Sequence, residues 1–408
     1  MGGMEKLTDR FLRYVAEDTQ SDPHSDTFPS TPTQRPFMEM LADELRAMGL
    51  DDVTVDADGY LMARIEANTD RPAPAIGFIS HVDTSPDLSG KGVKPRVLLY
   101  EGGDIVLNDS VTMSSERFPE LKFYRGKHLI VTDGTTLLGA DDKAGVAEIM
   151  TAVGEIAAHP ERPHGRVCIA FTPDEEIGRG VDRFDVERFG ADYAYTVDGG
   201  RAGMIEYETF NAASAKVTVH GVNVHPGYAK GKMRNALRLL QRFDAMLPDE
   251  RPENTEGYEG FYHLTEIDGG VECAHADYII RDHDRAGFER RKETFRSAAM
   301  SLADGEVSVE VDITDQYYNM GEVLSGDNYR IVERAIESMR RIGIEPTVTP
   351  VRGGTDGARL SFMGLPSPNI FAGGENFHGK YEFVAVESME AAVRLIEEIV
   401  YSAVGYEA

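Results

Sequence analysis

Apolar and polar residues recur along the chain with two different periods, and these periods predict where helices and strands lie. Near the N-terminus, Leu7, Phe11 and Val15 recur at helical spacing, which predicts an amphipathic helix over residues 6–17. The same pattern recurs over 37–48 and ends before a glycine. Further helices are predicted over 144–158, 235–247, 285–303, 329–343 and 386–404.

Short uninterrupted apolar runs lie between several of these helices. They occupy residues 76–79, 167–171, 193–197 and 369–372. Continuous apolar runs are typical of strands that are buried on both faces of a sheet. Because such strands alternate with helices, the fold class expected is α/β, with a mixed, mostly parallel sheet covered by helices on both faces.

The middle of the chain has a different pattern of apolar and polar residues. Residues 216–220 and 307–313 alternate polar and apolar side chains with period two, as strands with one wet face do. Together with two predicted helices they indicate a smaller α+β domain with an antiparallel sheet. We therefore expect a discontinuous main domain, residues 1–208 and 319–408, interrupted by an inserted domain, residues 209–318.

The charge balance excludes several classes of partner. The chain has 408 residues, with 42 Lys+Arg against 70 Asp+Glu, and a formal net charge of -28. Nucleic acid and anionic membrane surfaces both require basic protein faces, so neither is expected as a partner. The chain contains two cysteines, which favours a reducing, cytoplasmic location. No apolar stretch approaches the roughly 18 residues of a membrane span.

Ionisable residues directly follow the predicted strands. In an open α/β sheet the carboxyl ends of parallel strands share one edge, and ligands bind in the crevice outside it. We therefore expect these side chains to lie on one side of the fold, together with the pair Asp141 and Asp142 that precedes a predicted helix. The residues that follow strands are His81, Asp83, Glu175, Glu176, Asp198 and, after a glycine-rich loop, His378.

Imidazoles and carboxylates without a thiolate suit zinc, and two zinc ions about 3.5–4 Å apart form a hydrolytic site. A shared carboxylate, with one histidine and one acid at each metal, would fill such a site. A further acid is then left as general base. Each of these pairs alone is also common on surfaces and in turns, so the hypothesis depends on their convergence.

Five motifs resemble, in order and spacing, the co-catalytic zinc peptidase family. That family includes aminopeptidases of short peptides, carboxypeptidases that release glutamate, and acyl-amino-acid deacylases. The resemblance covers essentially the whole chain and is closest to the tripeptide aminopeptidases. The five motifs are 80–84 (SHVDT), 138–145 (LGADDKAG), 172–178 (TPDEEIG), 195–200 (YTVDGG) and 377–380 (FHGK). The closer match extends through 211–214, 223–227, 256–263, 278–282 and 352–357.

The resemblance implies a role for each matching residue. Two Zn²⁺ ions per subunit would be held by His81 and Asp198 at one metal, Glu176 and His378 at the other, and Asp141 as the bridge. Asp83 would orient His81, and Glu175 would be the general base. Asp142 matches the motif but is given no ligand role.

The resemblance also implies that the inserted domain is a lid and a dimerisation surface. His225 would stabilise an oxyanion, while Arg281 and Arg352 would bind a substrate carboxylate or carbonyl. From the residues alone, His225 is more typical of a turn at the end of a strand, and Arg352 is more typical of a structural salt bridge.

The sequence therefore predicts a dizinc aminopeptidase that removes the N-terminal residue from short peptides, preferentially tripeptides. A water molecule activated by the metals would attack, with Glu175 as general base. We expect a cytoplasmic homodimer whose partners are short peptides. The alternatives on the same scaffold are a dipeptidase, a carboxypeptidase or an N-acyl-amino-acid deacylase. An alternative of another class is a non-catalytic metal- or peptide-binding relative, which would be expected to have an incomplete ligand set.

Overall fold

The computed structural model describes residues 6–50 and 52–406 of the chain. The described residues fall into two compact units. Unit 1 takes its residues from 1–207, 323–349 and 355–408, and unit 2 takes its residues from 208–322 and 350–354. The short segment 350–354 belongs to unit 2 but was not part of the insertion expected from the sequence. A segment this short shows no hydrophobic period from which its unit could be predicted.

The helices agree with the apolar spacing wherever they are long. In chain order they are α1 Leu7–Tyr14, α2 Gln34–Ala47, α3 Ala140–Ala158, α4 Val186–Phe189, α5 Ala236–Asp244, α6 Arg285–Met300, α7 Tyr329–Arg341, α8 Asp356–Phe362 and α9 Val386–Ser402. The sequence did not predict α4 and α8, which have 4 and 7 residues and are too short to display a helical period. None of the described helices is long and apolar enough to cross a membrane.

The strands belong to four sheets. In chain order they are β1 Thr54–Val55, β2 Leu61–Ile65, β3 Ile76–His81, β4 Arg96–Leu99, β5 Ile105–Asn108, β6 Val111–Met113, β7 His128–Val131, β8 Val167–Thr172, β9 Tyr193–Gly199, β10 Met204–Glu206, β11 Asn211–His220, β12 Phe261–Gly269, β13 Cys273–Asp282, β14 Ser308–Tyr317, β15 Thr347–Val348, β16 Asn369–Phe371, β17 Gly374–Glu375 and β18 Phe383–Ala385.

Unit 1 is built on an eight-stranded mixed sheet in the order β1-β2-β8-β3-β9-β16-β10-β15. β3 runs parallel to both β8 and β9, and β9 runs parallel to β16. All residues of β3 and β8 are buried, as expected for strands covered on both faces. The α/β class predicted from the continuous apolar runs is confirmed.

The two faces of this sheet carry different helices. Successive side chains of β3 point to opposite faces. On one face, Ile79 belongs to a buried cluster with Phe189 of α4 and Leu360 of α8. On the other face, Ser80 lies against the start of α3, where a Cβ added to Gly145 would come within 2.6 Å of Ser80 Oγ. Glycine at position 145 therefore lets α3 approach β3 closely.

Unit 1 also contains an antiparallel sheet, β17-β18-β7-β4, and the hairpin β5-β6, neither of which the sequence predicted. β4 lies at the edge of its sheet and exposes Val97 by 44% and Leu99 by 52%. Because its apolar residues face solvent, the strand has no period that sequence analysis can detect.

Unit 2 is a four-stranded antiparallel sheet, β12-β13-β11-β14, with α5 and α6. Phe243 of α5 and Phe295 of α6 belong to one buried cluster with alternate residues of β11 and β13. Each helix begins at a side-chain cap: Asn235 accepts an amide hydrogen bond in α5, and Asp284 does so in α6. The antiparallel α+β character predicted for the inserted region is confirmed.

Candidate active site

Neighbouring parallel strands of unit 1 carry ionisable side chains at their carboxyl ends. β3 ends at His81, and Asp198 is the penultimate residue of β9. β8 is followed by a 3-10 turn, Glu175–Ile177. The segment after β16 carries His378. The expected placement at one edge of the sheet brings these side chains together with Asp141, at the start of α3.

The centre of this cluster is the carboxylate of Asp141. One of its oxygens, Oδ1, lies 2.9 Å from His81 Nε2, and the other, Oδ2, lies 3.2 Å from His378 Nε2. His81 Nε2 is also 3.6 Å from Asp198 Oδ1, and His378 Nε2 is 2.9 Å from Glu176 Oε2. The Nε2 atom of each histidine thus contacts one oxygen of Asp141 and one oxygen of a further acid.

Burial and mutual contact shift the pKa values of this cluster. Burial, with the charge of Asp141, raises the pKa of Glu176 to about 8. Burial also raises the pKa of Asp198 to about 6. For Asp141, burial opposes ionisation, but hydrogen bonds with His378 and His81 outweigh it and lower the pKa. Hydrogen bonds to Asp141 and Glu176 raise the pKa of His378 to about 11. Metals bind the deprotonated forms of these groups, so protons and divalent cations compete for the same ligand atoms.

The donor set fits a pair of divalent metal ions. Ligand atoms of His81, Asp141 and Glu176 lie within 4.8 Å of one another. Glu176 Oε1 is buried and has no hydrogen-bond partner among residues 6–50 and 52–406. Nitrogen and oxygen donors without a thiolate suit zinc and neighbouring metals.

Asp83 connects two of the segments that carry this cluster. Its carboxylate is completely buried. Oδ1 accepts the amide hydrogen of Glu175 at 3.0 Å, and Oδ2 accepts that of Glu176 at 3.2 Å. His81 Nδ1 lies 3.1 Å from the Asp83 carbonyl oxygen and 3.3 Å from Asp83 Oδ1. The orienting role implied for Asp83 therefore has a geometric basis, and the same side chain also contacts the loop that carries Glu175.

Glu175 lies beside the cluster and is partly buried. Burial raises its pKa well above the usual range, and the negative charges of Asp356 and Asp198 act in the same direction. A carboxyl group with a raised proton affinity beside this cluster is a candidate for a general base.

Asp142 is a buried neighbour with a different set of contacts. Its Oδ2 accepts the backbone amide of His81, and its Oδ1 accepts that of Gly145, both at 3.3 Å. It also belongs to a group with His81 and Asp198 whose ligand atoms lie within 4.8 Å of one another. Its carboxylate therefore stabilises the end of β3 and the first turn of α3.

Two acids that the sequence reasoning missed also contact this region. Asp87 Oδ2 lies 3.3 Å from His378 Nδ1, the ring nitrogen that faces away from Asp141. Asp356, at the start of α8, accepts a hydrogen bond from Thr172 Oγ1 at 2.8 Å, and burial raises its pKa to about 7. Asp356 lies in the motif 352–357, but reasoning from strand ends assigns no position to a residue that begins a short helix.

The three remaining candidates lie in unit 2. His225 is exposed, and its Nδ1 accepts the amide hydrogen of Gly227 at 3.1 Å. Arg281, on β13, lies over the ring of Tyr317, with its Cζ 5.1 Å from the ring centroid. Burial lowers the pKa of Arg281 to about 10. Its Nε is buried and has no hydrogen-bond partner within the part of the chain that the structure describes.

Arg352 has several partners within its own unit. Its Nη1 donates to the carbonyl oxygens of Gly257 at 2.9 Å and Glu259 at 3.0 Å. Its Nη2 donates to Thr255 Oγ1 at 2.8 Å. The guanidinium of Arg352 therefore stabilises the loop that contains residues 255–259. Arg281, in contrast, has a buried Nε without a hydrogen-bond partner among the described residues.

Comparison with known proteins points in one direction. Residues 132–402 match the model of peptidase family M20/M25/M40. A protein named peptidase T from Caldanaerobacter subterraneus is 58% identical over 403 residues, which is 97% of this chain and 98% of the relative. A peptidase T of Bacillus subtilis is 54% identical over 401 residues, with coverage of 97% and 98%.

Solved structures show the same fold at low sequence identity. Aminopeptidase PepT of Bacillus cereus aligns with a TM-score of 0.77 at 24% identity, covering 97% of this chain and 98% of that one. A dinuclear metal-binding peptidase of the M20 family from Bacillus subtilis aligns with a TM-score of 0.66 at 14% identity, covering 98% and 97%. Both neighbours share the fold of this chain.

Proposed function

The chain belongs to peptidase family M20/M25/M40, and on this premise we propose that it is a dizinc aminopeptidase that removes the N-terminal residue of short peptides, preferentially tripeptides. The observation that carries the proposal is the position of Asp141 between two histidines, with one carboxylate oxygen toward each. The relatives named peptidase T support a peptidase activity, and the substrate end and length follow from the resemblance to the tripeptide aminopeptidases.

Five side chains would hold the metals. His81 and Asp198 would bind one ion, Glu176 and His378 the other, and Asp141 both. When bound, two zinc ions would polarise the scissile carbonyl and lower the pKa of water at the site.

Glu175 would take the proton from the attacking water and return it to the leaving amine. Asp83 would hold the backbone of Glu175 in place through its 3.0 Å hydrogen bond. The carboxylate of Asp83 thereby serves both the base and His81.

Unit 2 would supply groups that recognise the substrate. His225 would donate a hydrogen bond to the oxyanion that forms during attack. Arg281 would bind the free carboxylate of the peptide, since its buried guanidinium forms no ion pair among the described residues. Arg352 has both Nη1 hydrogens and one Nη2 hydrogen engaged, which leaves Nε–H and one Nη2–H for a substrate oxygen.

The proposal includes a homodimer formed through unit 2 and a cytoplasmic location. β14 is an edge strand of the unit 2 sheet, and edge strands are common sites of pairing between chains. Light scattering on purified protein tests the dimer, and cell fractionation tests the location.

The decisive experiment is a peptide series on zinc-loaded protein. Trialanine should yield alanine and dialanine, while N-acetylated trialanine should not be cleaved, because an aminopeptidase requires the free amine. Dialanine and tetra-alanine should be poorer substrates. Exhaustive chelation should abolish activity, and added zinc should restore it.

Other outcomes would identify the alternatives. Cleavage of N-acetylated trialanine would indicate a carboxypeptidase or deacylase, and cleavage of dialanine alone would indicate a dipeptidase. A chain that binds metal but cleaves none of these substrates would be a non-catalytic relative. Activity that survives complete metal removal would overturn the dizinc mechanism.

A further inference from the structure

A buried glutamate outside the cluster contacts the loop that carries Asp141. Glu382 immediately precedes β18, and the whole residue is 1% exposed. Its Oε2 accepts the amide hydrogens of Leu138 at 2.7 Å and Gly139 at 2.9 Å. Its Oε1 accepts the amide hydrogen of Asp141 at 3.0 Å. One carboxylate therefore satisfies three backbone donors over four residues.

Leu138 and Gly139 precede the first residue of α3, and Asp141 lies in its first turn with non-helical φ and ψ, where amide groups have no intrahelical partners. Gly139, at the N-cap, has a φ of +81° and no side chain to cap the helix. The cap comes instead from a residue more than 240 positions later in the sequence, and it is a carboxylate, which the helix dipole favours.

Glu382 also belongs to the segment that carries His378. Its own amide donates to the carbonyl oxygen of Gly379 at 3.1 Å, which closes a turn directly after His378. The same residue thus fixes the backbone on both sides of the 3.2 Å contact between His378 Nε2 and Asp141 Oδ2.

We propose that Glu382 is a positioning residue of the metal centre, which sets the separation between Asp141 and His378 by binding the backbone of the Asp141 loop. This inference rests on the proposed function, since it assigns those two side chains as ligands. Residues that orient ligands without touching the metal typically change metal affinity by about 10–100-fold when substituted.

The test is the variant Glu382→Gln, in which one acceptor oxygen becomes an NH₂ group that faces an amide donor. We expect at least one of its two zinc equivalents to bind about 10–100-fold more weakly, measured by titration against a competing chelator. We expect kcat to fall at limiting zinc and to recover with excess zinc, while KM stays within about twofold. Glu382→Asp keeps both acceptor oxygens and should recover part of the zinc affinity.

Glu375→Gln is the matched control. Glu375 lies in the neighbouring strand β17, and its Oε1 contacts Tyr124 Oη at 2.8 Å and Arg201 Nε at 2.7 Å. Neither of these partners is a ligand candidate. This variant should therefore bind zinc as the wild type does.

Unchanged zinc affinity in folded Glu382→Gln, with only a lower Tm, would overturn the proposal and leave a purely structural role. If neither Glu382 variant folds, amide hydrogen exchange of the metal-free wild type decides. Slow exchange over residues 138–141 supports a loop held by Glu382, and rapid exchange contradicts it. A wild-type chain that binds no zinc would instead overturn the proposed function.

Discussion

The carboxylate of Asp83 accepts the amide hydrogen of Glu175, with 3.0 Å between Asp83 Oδ1 and the nitrogen. Asp83 follows β3 and Glu175 follows β8, so this bond ties together the ends of two adjacent parallel strands. The same carboxylate lies 3.3 Å from His81 Nδ1. A change at Asp83 should therefore affect both the proposed metal ligand His81 and the proposed base Glu175.

Asp83→Asn should lower kcat by about 10–100-fold and weaken zinc binding. In asparagine an NH₂ group replaces one carboxylate oxygen, and this group cannot accept a hydrogen bond from a backbone amide. Steady-state kinetics and zinc titration measure the two effects. The double variant with Glu175→Gln should be hardly slower than Glu175→Gln alone, since residues that act as a unit are not additive. If the kcat losses of the two single variants instead multiply in the double variant, Asp83 acts only through His81.

Glu175→Gln should retain two zinc ions and lose about 10²–10⁴-fold in kcat, because glutamine has the shape of the base but cannot take a proton. Metal analysis of the purified variant and initial rates with trialanine provide the measurement. Glu187→Gln, an exposed change in α4, is the control and should leave the rate unchanged. A near wild-type rate in Glu175→Gln would assign the base elsewhere.

Arg281→Met should raise KM for trialanine by about 10–100-fold, which corresponds to the loss of a charge-assisted hydrogen bond. KM for trialanine amide, which has no carboxylate, should hardly change. Comparing the two substrates separates carboxylate recognition from a general loss of binding. Arg352→Met should instead destabilise the loop 255–259, because it removes three hydrogen bonds within unit 2. Equal losses on both substrates in Arg281→Met would contradict a carboxylate-binding role.

Glu148→Gln should stabilise the protein at pH 8. Glu148 is fully buried in α3, and neither carboxylate oxygen has a hydrogen-bond partner among the described residues. Burial raises its pKa well above the ordinary value of 4.5. The folded state thus keeps a proton that the unfolded chain has released, so raising the pH above about 4.5 lowers the free energy of unfolding.

Glutamine removes that dependence, so the stability of the variant relative to wild type should increase with pH, reaching about 1–3 kcal/mol. Thermal or urea unfolding at pH 5 and pH 8 measures it. Glu390→Gln, an exposed change in α9, should give the same difference at both pH values. A variant equally destabilised at both pH values would show that Glu148 has a partner when charged.

The spacing of apolar residues predicted the central sheet and the long helices. The ionisable residues that follow the predicted strands indicated that His81, Asp198 and His378 converge. These features depend on hydrophobic periods within short stretches of sequence and on the rule that the carboxyl ends of parallel strands share one edge of a sheet. Glu382 and Asp87 escaped prediction because their partners, Asp141 and His378, are more than 200 residues away. No local pattern distinguishes such acids from the many others in a chain with 70 Asp+Glu.

Asp142 shows a different limit. From the residues alone, Asp141 and Asp142 are chemically equivalent, and only the family resemblance distinguishes them. The fold gives the physical difference: Asp141 faces both histidine rings, while Asp142 accepts backbone amide hydrogens. Strand β4 was not predicted from the sequence either. Its apolar side chains face solvent, so they show no alternation of apolar and polar residues.

Synthesis of this chain leaves unit 1 incomplete until late. β16 lies between β9 and β10 in the sheet, yet it follows them in the sequence only after all of unit 2. A ribosome that has finished unit 2 therefore carries a sheet with a vacant position beside β9, and an unpaired strand of this kind invites association with other chains. His378 emerges a few residues after β16, so the nascent protein closes its sheet and completes its proposed ligand set almost at the same moment.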